Sequence, residues 1–169
     1  ILKTNGYKNS VGSKVGITRE GDGKTYQADT FYSIPLDYDG YVNITAEIKK
    51  QESTDRSGKD TRQQYTGGPA GDTHTTKLGQ PESVNYLLAL NSLSSLKNDM
   101  DFYSHAILNY QDSENNAYFR RPLDDRNDLA VYPNGFLPFI QTKMLDYSLT
   151  AGISQDIDRD SSWDISQTL

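Results

Sequence analysis

The sequence predicts an all-β chain of about seven antiparallel, up-and-down strands forming part of a transmembrane β-barrel. Three observations lead there. The composition is poor in hydrophobic residues at 34% yet holds 12 Tyr and 13 Gly, a mix that favours strands joined by polar turns over packed helices. Segment after segment alternates apolar and polar residues with period two, which is the mark of a one-sided strand. Short and long connections alternate along the chain, as the short periplasmic turns and long external loops of an outer-membrane barrel do. Compact soluble domains rarely hold loops of such length.

The elements follow in order. Lys14 to Arg19 is the first expected strand, joined to the next through Gly21-Asp22-Gly23. From Tyr26 to Ile34, residues Tyr26, Ala28, Thr30, Tyr32 and Ile34 share one face, and Gln27, Asp29 and Ser33 the other. From Tyr41 to Lys49, Val42, Ile44, Ala46 and Ile48 oppose Asn43, Thr45, Glu47 and Lys49. Segment 83–96 reads two ways: a helix capped by Ser83 bearing Leu87, Leu90 and Leu93, or a strand with Val84, Tyr86, Leu88 and Leu90 on one face. Topology favours the strand, because the chain must return between the loop at 52–82 and the turn near Asn98. Phe102, Ala106, Leu108 and Tyr110 alternate with His105 and Asn109; Tyr147, Leu149, Ala151 and Ile153 with Asp146, Ser148 and Thr150; Trp163, Ile165 and Leu169 with Asp164, Ser166 and Thr168. Short turns are expected at 35–40, 97–99 and 158–162, and long polar loops at 52–82 and 115–141. Tyr26, Tyr32, Tyr110 and Trp163 fall near strand ends, where an interfacial aromatic girdle would lie.

The net charge of −6 argues against a nucleic-acid partner, which needs clustered Lys and Arg. With no cysteine, disulfide frameworks, thiol catalysis and thiolate metal sites are excluded. No run approaches the ~20 apolar residues of a membrane helix, and Ile1 to Gly6 has no apolar leader core. Neither excludes a barrel, whose strands are apolar on one face only.

At this point the residues resemble a known family. Tyr132-Pro133-Asn134-Gly135-Phe136-Leu137-Pro138 is similar to an external-loop segment of bacterial TonB-dependent outer-membrane receptors, followed there by a strand such as Asp146 to Gly152 and a Trp-Asp-x-Ser strand, here Trp163-Asp164-Ile165-Ser166. Ile34-Pro35-Leu36 to Gly40-Tyr41-Val42-Asn43-Ile44 resembles the family's turn and rising strand. Thr54-Asp55-Arg56 resembles its Thr-Asn-Arg element, with Asp for Asn, and Phe119-Arg120-Arg121-Pro122 its Phe-Arg-x-Pro element. The resemblance spans roughly residues 25–169 in shared order. It implies an outer-membrane transporter for TonB-dependent uptake of a scarce ligand, such as a siderophore, cobalamin or saccharide, with outer-membrane lipid, a plug domain and TonB as partners. Complete receptors of this kind carry a 22-stranded barrel and a plug. Residues 1–169 are therefore expected to be a partial barrel domain without plug or remaining strands, since open strand edges are not tolerated in lipid.

Candidate chemistry is sparse. Asp124, Asp125 and Arg126, with Arg120 and Arg121, form the densest charged cluster and the candidate ligand-binding residues of an external loop; arginine suits bidentate recognition of carboxylate or phosphate. Solvated local Arg–Asp pairing is the competing reading. Asp156, Asp158 and Asp160 have calcium-loop spacing, but Ser161 replaces the required Gly and Gln167 the closing Glu, so a charged turn is expected. His74 and His105 are far apart, and Asn43-Ile44-Thr45 matches the glycosylation-acceptor pattern but lies in an expected strand, so the match is read as chance. No nucleophile elbow, zincin or phosphate-loop motif occurs. No carboxylate pair is marked out for glycoside hydrolysis, so no enzyme and no cofactor is expected. The alternative to a receptor is a secreted β-sandwich binding module using exposed Tyr and Trp as platforms for carbohydrate.

Overall fold

The computed structural model describes residues 8–67, 75–97 and 99–169. These form one seven-stranded open sheet in the order β1 to β7: β1 Ser10–Gly16, β2 Thr25–Pro35, β3 Tyr41–Gln51, β4 Glu82–Ser95, β5 Met100–Asn116, β6 Phe139–Asp156 and β7 Ser162–Thr168. Every neighbouring pair is antiparallel, and no helix occurs among the described residues. The ambiguous segment 83–96 is therefore strand β4. The first strand is a correction: it runs Ser10–Gly16 rather than 14–19. The chain turns at once after it, with Gly21 N donating to Thr18 O (3.0 Å) and Thr18 N to Asp22 O (3.1 Å).

Register fixes the faces. Ala28 pairs with Ile48, Ile48 with Tyr86, Tyr86 with Tyr110 and Tyr110 with Leu145, so one row of the sheet joins five strands. The next row is Thr30, Ala46, Leu88, Leu108 and Tyr147; the one after is Tyr32, Ile44, Leu90, Ala106 and Leu149. These rows make an apolar face. The intervening rows carry Gln27, Lys49, Asn85, Gln111, Asp146, His105 and Asp164, among others, and make a polar face.

The two faces are exposed in the opposite sense to a soluble protein. Tyr32, Leu88, Leu108, Leu145, Tyr147 and Ile165 on the apolar face are all exposed, and Tyr147 reaches 73%. The buried strand residues Phe31, Asn43 and Thr150 all lie on the polar face. The sheet thus shelters its polar side and presents its apolar side. Its accessible surface of 11953 Å² far exceeds the ~8,400 Å² of a compact monomer of this mass. That is the surface of a single layer rather than a core between two.

The apolar band is shorter than the ladder. On β6 it runs from Leu145 to Ile153, while the strand itself covers 18 residues. On β5 it runs from Phe102 to Tyr110 within 17 residues. Beyond it the same face turns polar: Lys50, Glu82, Asp112 and Lys143 form ion pairs Lys50–Glu82 (3.9 Å) and Lys143–Asp112 (3.7 Å). Tyr86 and Tyr110 stack at that margin, with centroids 6.3 Å apart. At the opposite margin Trp163 Nε1 donates to Gln155 Oε1 (3.0 Å).

All three short turns lie at one end. Leu36 N donates to Gly40 O (2.8 Å), Leu96 N to Met100 O (2.7 Å) and Ile157 N to Ser161 O (2.9 Å). In the first, Tyr38 and Asp39 both take positive φ (56° and 59°), the paired left-handed geometry whose twist matches a hairpin. Residues 17–24, 52–81 and 117–138 connect strands at the other end.

Candidate ligand-binding site

The connections at this end interlock. Arg56 reaches from the second to the first, its Nη2 donating to Asp22 Oδ1 (2.9 Å), while Asp55 N donates to Asp22 Oδ2 (2.9 Å). Thr54 is buried; its hydroxyl accepts from Gln80 N (2.8 Å) and its N donates to Gln80 O (3.1 Å). The second and third loops meet where Arg121 Nη1 donates to Gln63 O (2.8 Å) and Tyr65 OH to Asn134 Oδ1 (2.9 Å).

Within the third loop, two of the sequence motifs dock on each other. Arg120 N donates to Phe136 O (2.8 Å) and Phe136 N to Arg120 O (2.9 Å). Gly135 makes that approach possible: its φ is +75°, and a Cβ there would collide with the Arg120 carbonyl and crowd the buried Phe119 and Pro122. Tyr132 and Phe136 stack at 4.3 Å. The Phe119-to-Pro122 and Tyr132-to-Phe136 segments are thus one folded unit.

The predicted site residues separate. Arg120 and Arg126 line a cavity of about 360 Å³ together with Asp124, Tyr118 and Phe119. Asp124 accepts from Arg126 through Nε (2.9 Å), Nη2 (3.1 Å) and the backbone N (3.1 Å), and the guanidinium holds its carboxyl well below the usual carboxylate range. Arg121 turns toward Gln63, with its Nε buried and without a partner among the described residues. Asp125, 97% exposed, lies 3.9 Å from Arg126 Nε and does not line the cavity.

Arg62, from the second loop, lines the same cavity and was missed in sequence. It repeats the arrangement of Arg126. Asp60 accepts from Arg62 Nε (2.8 Å), Nη2 (2.6 Å) and backbone N (3.0 Å), and from Thr75 Oγ1 (2.8 Å). The signal was available: Asp60-Thr61-Arg62 and Asp124-Asp125-Arg126 share the Asp-x-Arg spacing, in which the aspartate closes an Asx turn on the arginine that it also grips with both oxygens.

The remaining candidates do not line this cavity. In the turn at 157–161, Asp158 Oδ1 accepts from Asp160 N (2.9 Å). Among the described residues no group of three or more His, Cys, Asp or Glu side chains could hold a metal ion. His105 sits on the polar face opposite Asn91 and Thr150, His74 lies outside the described residues, and Asn43 is buried. No family model, curated protein or solved structure matches this chain.

Proposed function

We propose that the chain is part of a bacterial outer-membrane β-barrel, a receptor that takes up a scarce ligand under TonB control. One observation carries the reading: the exposed face is the apolar one, in a band of about nine residues per long strand with aromatic residues at its margins. Nine to eleven residues of tilted strand span a bilayer core, and lipid is the solvent in which exposing Leu88, Leu108, Leu145 and Leu149 costs nothing. A β-sandwich would cover this face with a second sheet, whereas the described residues form one sheet. The outer edges of β1 and β7 are unpaired among the described residues, so a barrel needs further strands to close. The ordered motifs that resemble TonB-dependent receptors support the receptor assignment, and the interlocked long loops supply its external face.

Fractionation of cells producing the native protein tests this. The protein should resist carbonate extraction, enter detergent, and be cleaved by external protease within residues 52–81 but not at the turn around Asp39. Recovery as a soluble, detergent-independent monomer would overturn the proposal and favour the carbohydrate-binding sandwich.

A further inference from the structure

We infer that the cavity between the second and third loops binds a carboxylate or phosphate group of a small ligand, with Arg120 as the contacting guanidinium and Arg62 and Arg126 as its preset flanks. The inference names the ligand class of the proposed receptor and rests on that reading only for the side from which the ligand arrives.

Three arginines, Arg62, Arg120 and Arg126, line the cavity in a chain of net charge −6. Two of them are spoken for, Arg62 by Asp60 and Arg126 by Asp124. Arg120 has no side-chain hydrogen bond or ion pair among the described residues, although its backbone is fixed at both N and O by Phe136. The cavity lining holds three arginines and one carboxylate, Asp124; Asp60 serves Arg62, and Asp125, 3.9 Å from Arg126, is 97% exposed and outside the lining, so half-buried Arg120 is the lining arginine without a carboxylate partner among the described residues. A half-buried cation without a counter-ion invites one from solution. The fixed backbone and the two gripped arginines reduce the ordering cost of binding. A guanidinium fork matches a planar carboxylate or two phosphate oxygens. The cavity volume of about 360 Å³ lies within the range for small-molecule sites, and Tyr118 and Phe119 give the rest of the ligand an aromatic wall.

Binding of citrate, inorganic phosphate and neutral maltose to the native full-length protein in outer-membrane vesicles tests this, with each probe measured by equilibrium titration. Citrate or phosphate should bind and maltose should not, and the stronger of the two anions tells a carboxylate ligand from a phosphate one. Arg120→Gln should weaken anion binding by about tenfold or more, and Arg120→Lys, which keeps the charge but loses the fork, by a smaller factor. Arg159→Gln, in a short turn, should change nothing. Because Arg120 is held through its backbone, protease protection of residues 117–138 should persist in both variants. Wild-type anion affinity in both Arg120 variants, or absence of anion binding to the wild type, overturns the inference. Failure of anion binding in a protein that still fractionates with the outer membrane leaves the receptor reading standing with a neutral ligand. A soluble protein that binds citrate through Arg120 removes the receptor reading and keeps the site.

Discussion

Gly135 and Gly152 are two positions where a single methyl group should be felt. At Gly135 the left-handed backbone and the Arg120 carbonyl both exclude a side chain, so Gly135→Ala should cost about 1–3 kcal/mol of local stability and appear as lost protease protection of residues 117–138. An unchanged cleavage pattern would contradict the docking of the two motifs. At Gly152 a Cβ would lie 2.5 Å from the Tyr103 ring, whose hydroxyl donates to Asp164 (2.7 and 2.8 Å); Tyr103 lies directly across the ladder over this glycine. The three gripped carboxylates make a third prediction at this scale. Asp22, Asp60 and Asp124 are held below the usual carboxylate range, chiefly by hydrogen bonds from Arg56, Arg62 and Arg126. A depressed carboxylate stabilises the fold fully above the unfolded value near pH ~4 and loses that contribution as the pH falls below it. Hydrogen exchange in the long loops should therefore be slow at pH 7 and accelerate below pH ~4, before the strands lose protection. Loops equally protected at pH 3 would show that these pairs do not hold them.

At the scale of the strand, what the sequence makes legible is the apolar band rather than the hydrogen-bonded ladder. The parity of the alternating segments was readable, because most apolar residues on β2 to β7 share one face; Phe31, Leu87, Ile107 and Met144, among others, fall in the polar rows instead. The ends were not. Alternation on β6 starts at Asp146, yet the strand begins at Phe139, because Gln141 and Lys143 on the same face pair with Glu114 and Asp112 and keep the ladder going without apolar residues. The first strand was displaced for the same reason, since Gly12, Ser13 and Gly16 carry little pattern. The positive φ at Tyr38 and Asp39 also had no signal, as neither is the Gly or Asn such turns prefer. The faces predict an asymmetry. Leu88→Arg or Leu108→Arg, at mid-band on the apolar face, should cost about 2–4 kcal/mol in urea unfolding from lipid vesicles, while Asn109→Arg on the polar face should cost much less. Equal costs would mean that the apolar face does not meet hydrocarbon.

Over the whole molecule the two ends differ in kind. The short-turn end carries Asp37, Asp39, Asp99, Asp101, Asp156, Asp158, Asp160 and Asp164 against Lys97 and Arg159 in those turns and their flanks. The long-loop end gathers Arg56, Arg62, Arg120, Arg121 and Arg126, most of them pinned to a carboxylate or carbonyl. The sequence disclosed the third-loop half of that array, because Arg120 to Arg126 are adjacent in the chain; Arg62 was hidden because only loop docking brings it there. On the proposed reading, the sheltered polar face and the exposed apolar face mark a wall between lumen and lipid. Since the chain has no cysteine, single cysteines can be placed along β6 from Leu145 to Ile153 and spin-labelled in the native protein in membranes, and their collision rates with oxygen and with a water-soluble nickel complex compared. Positions 145, 147, 149, 151 and 153 should favour oxygen, and 146, 148, 150 and 152 should not. Loss of this alternation, or odd positions shielded from both reagents as in a sandwich core, would contradict the account.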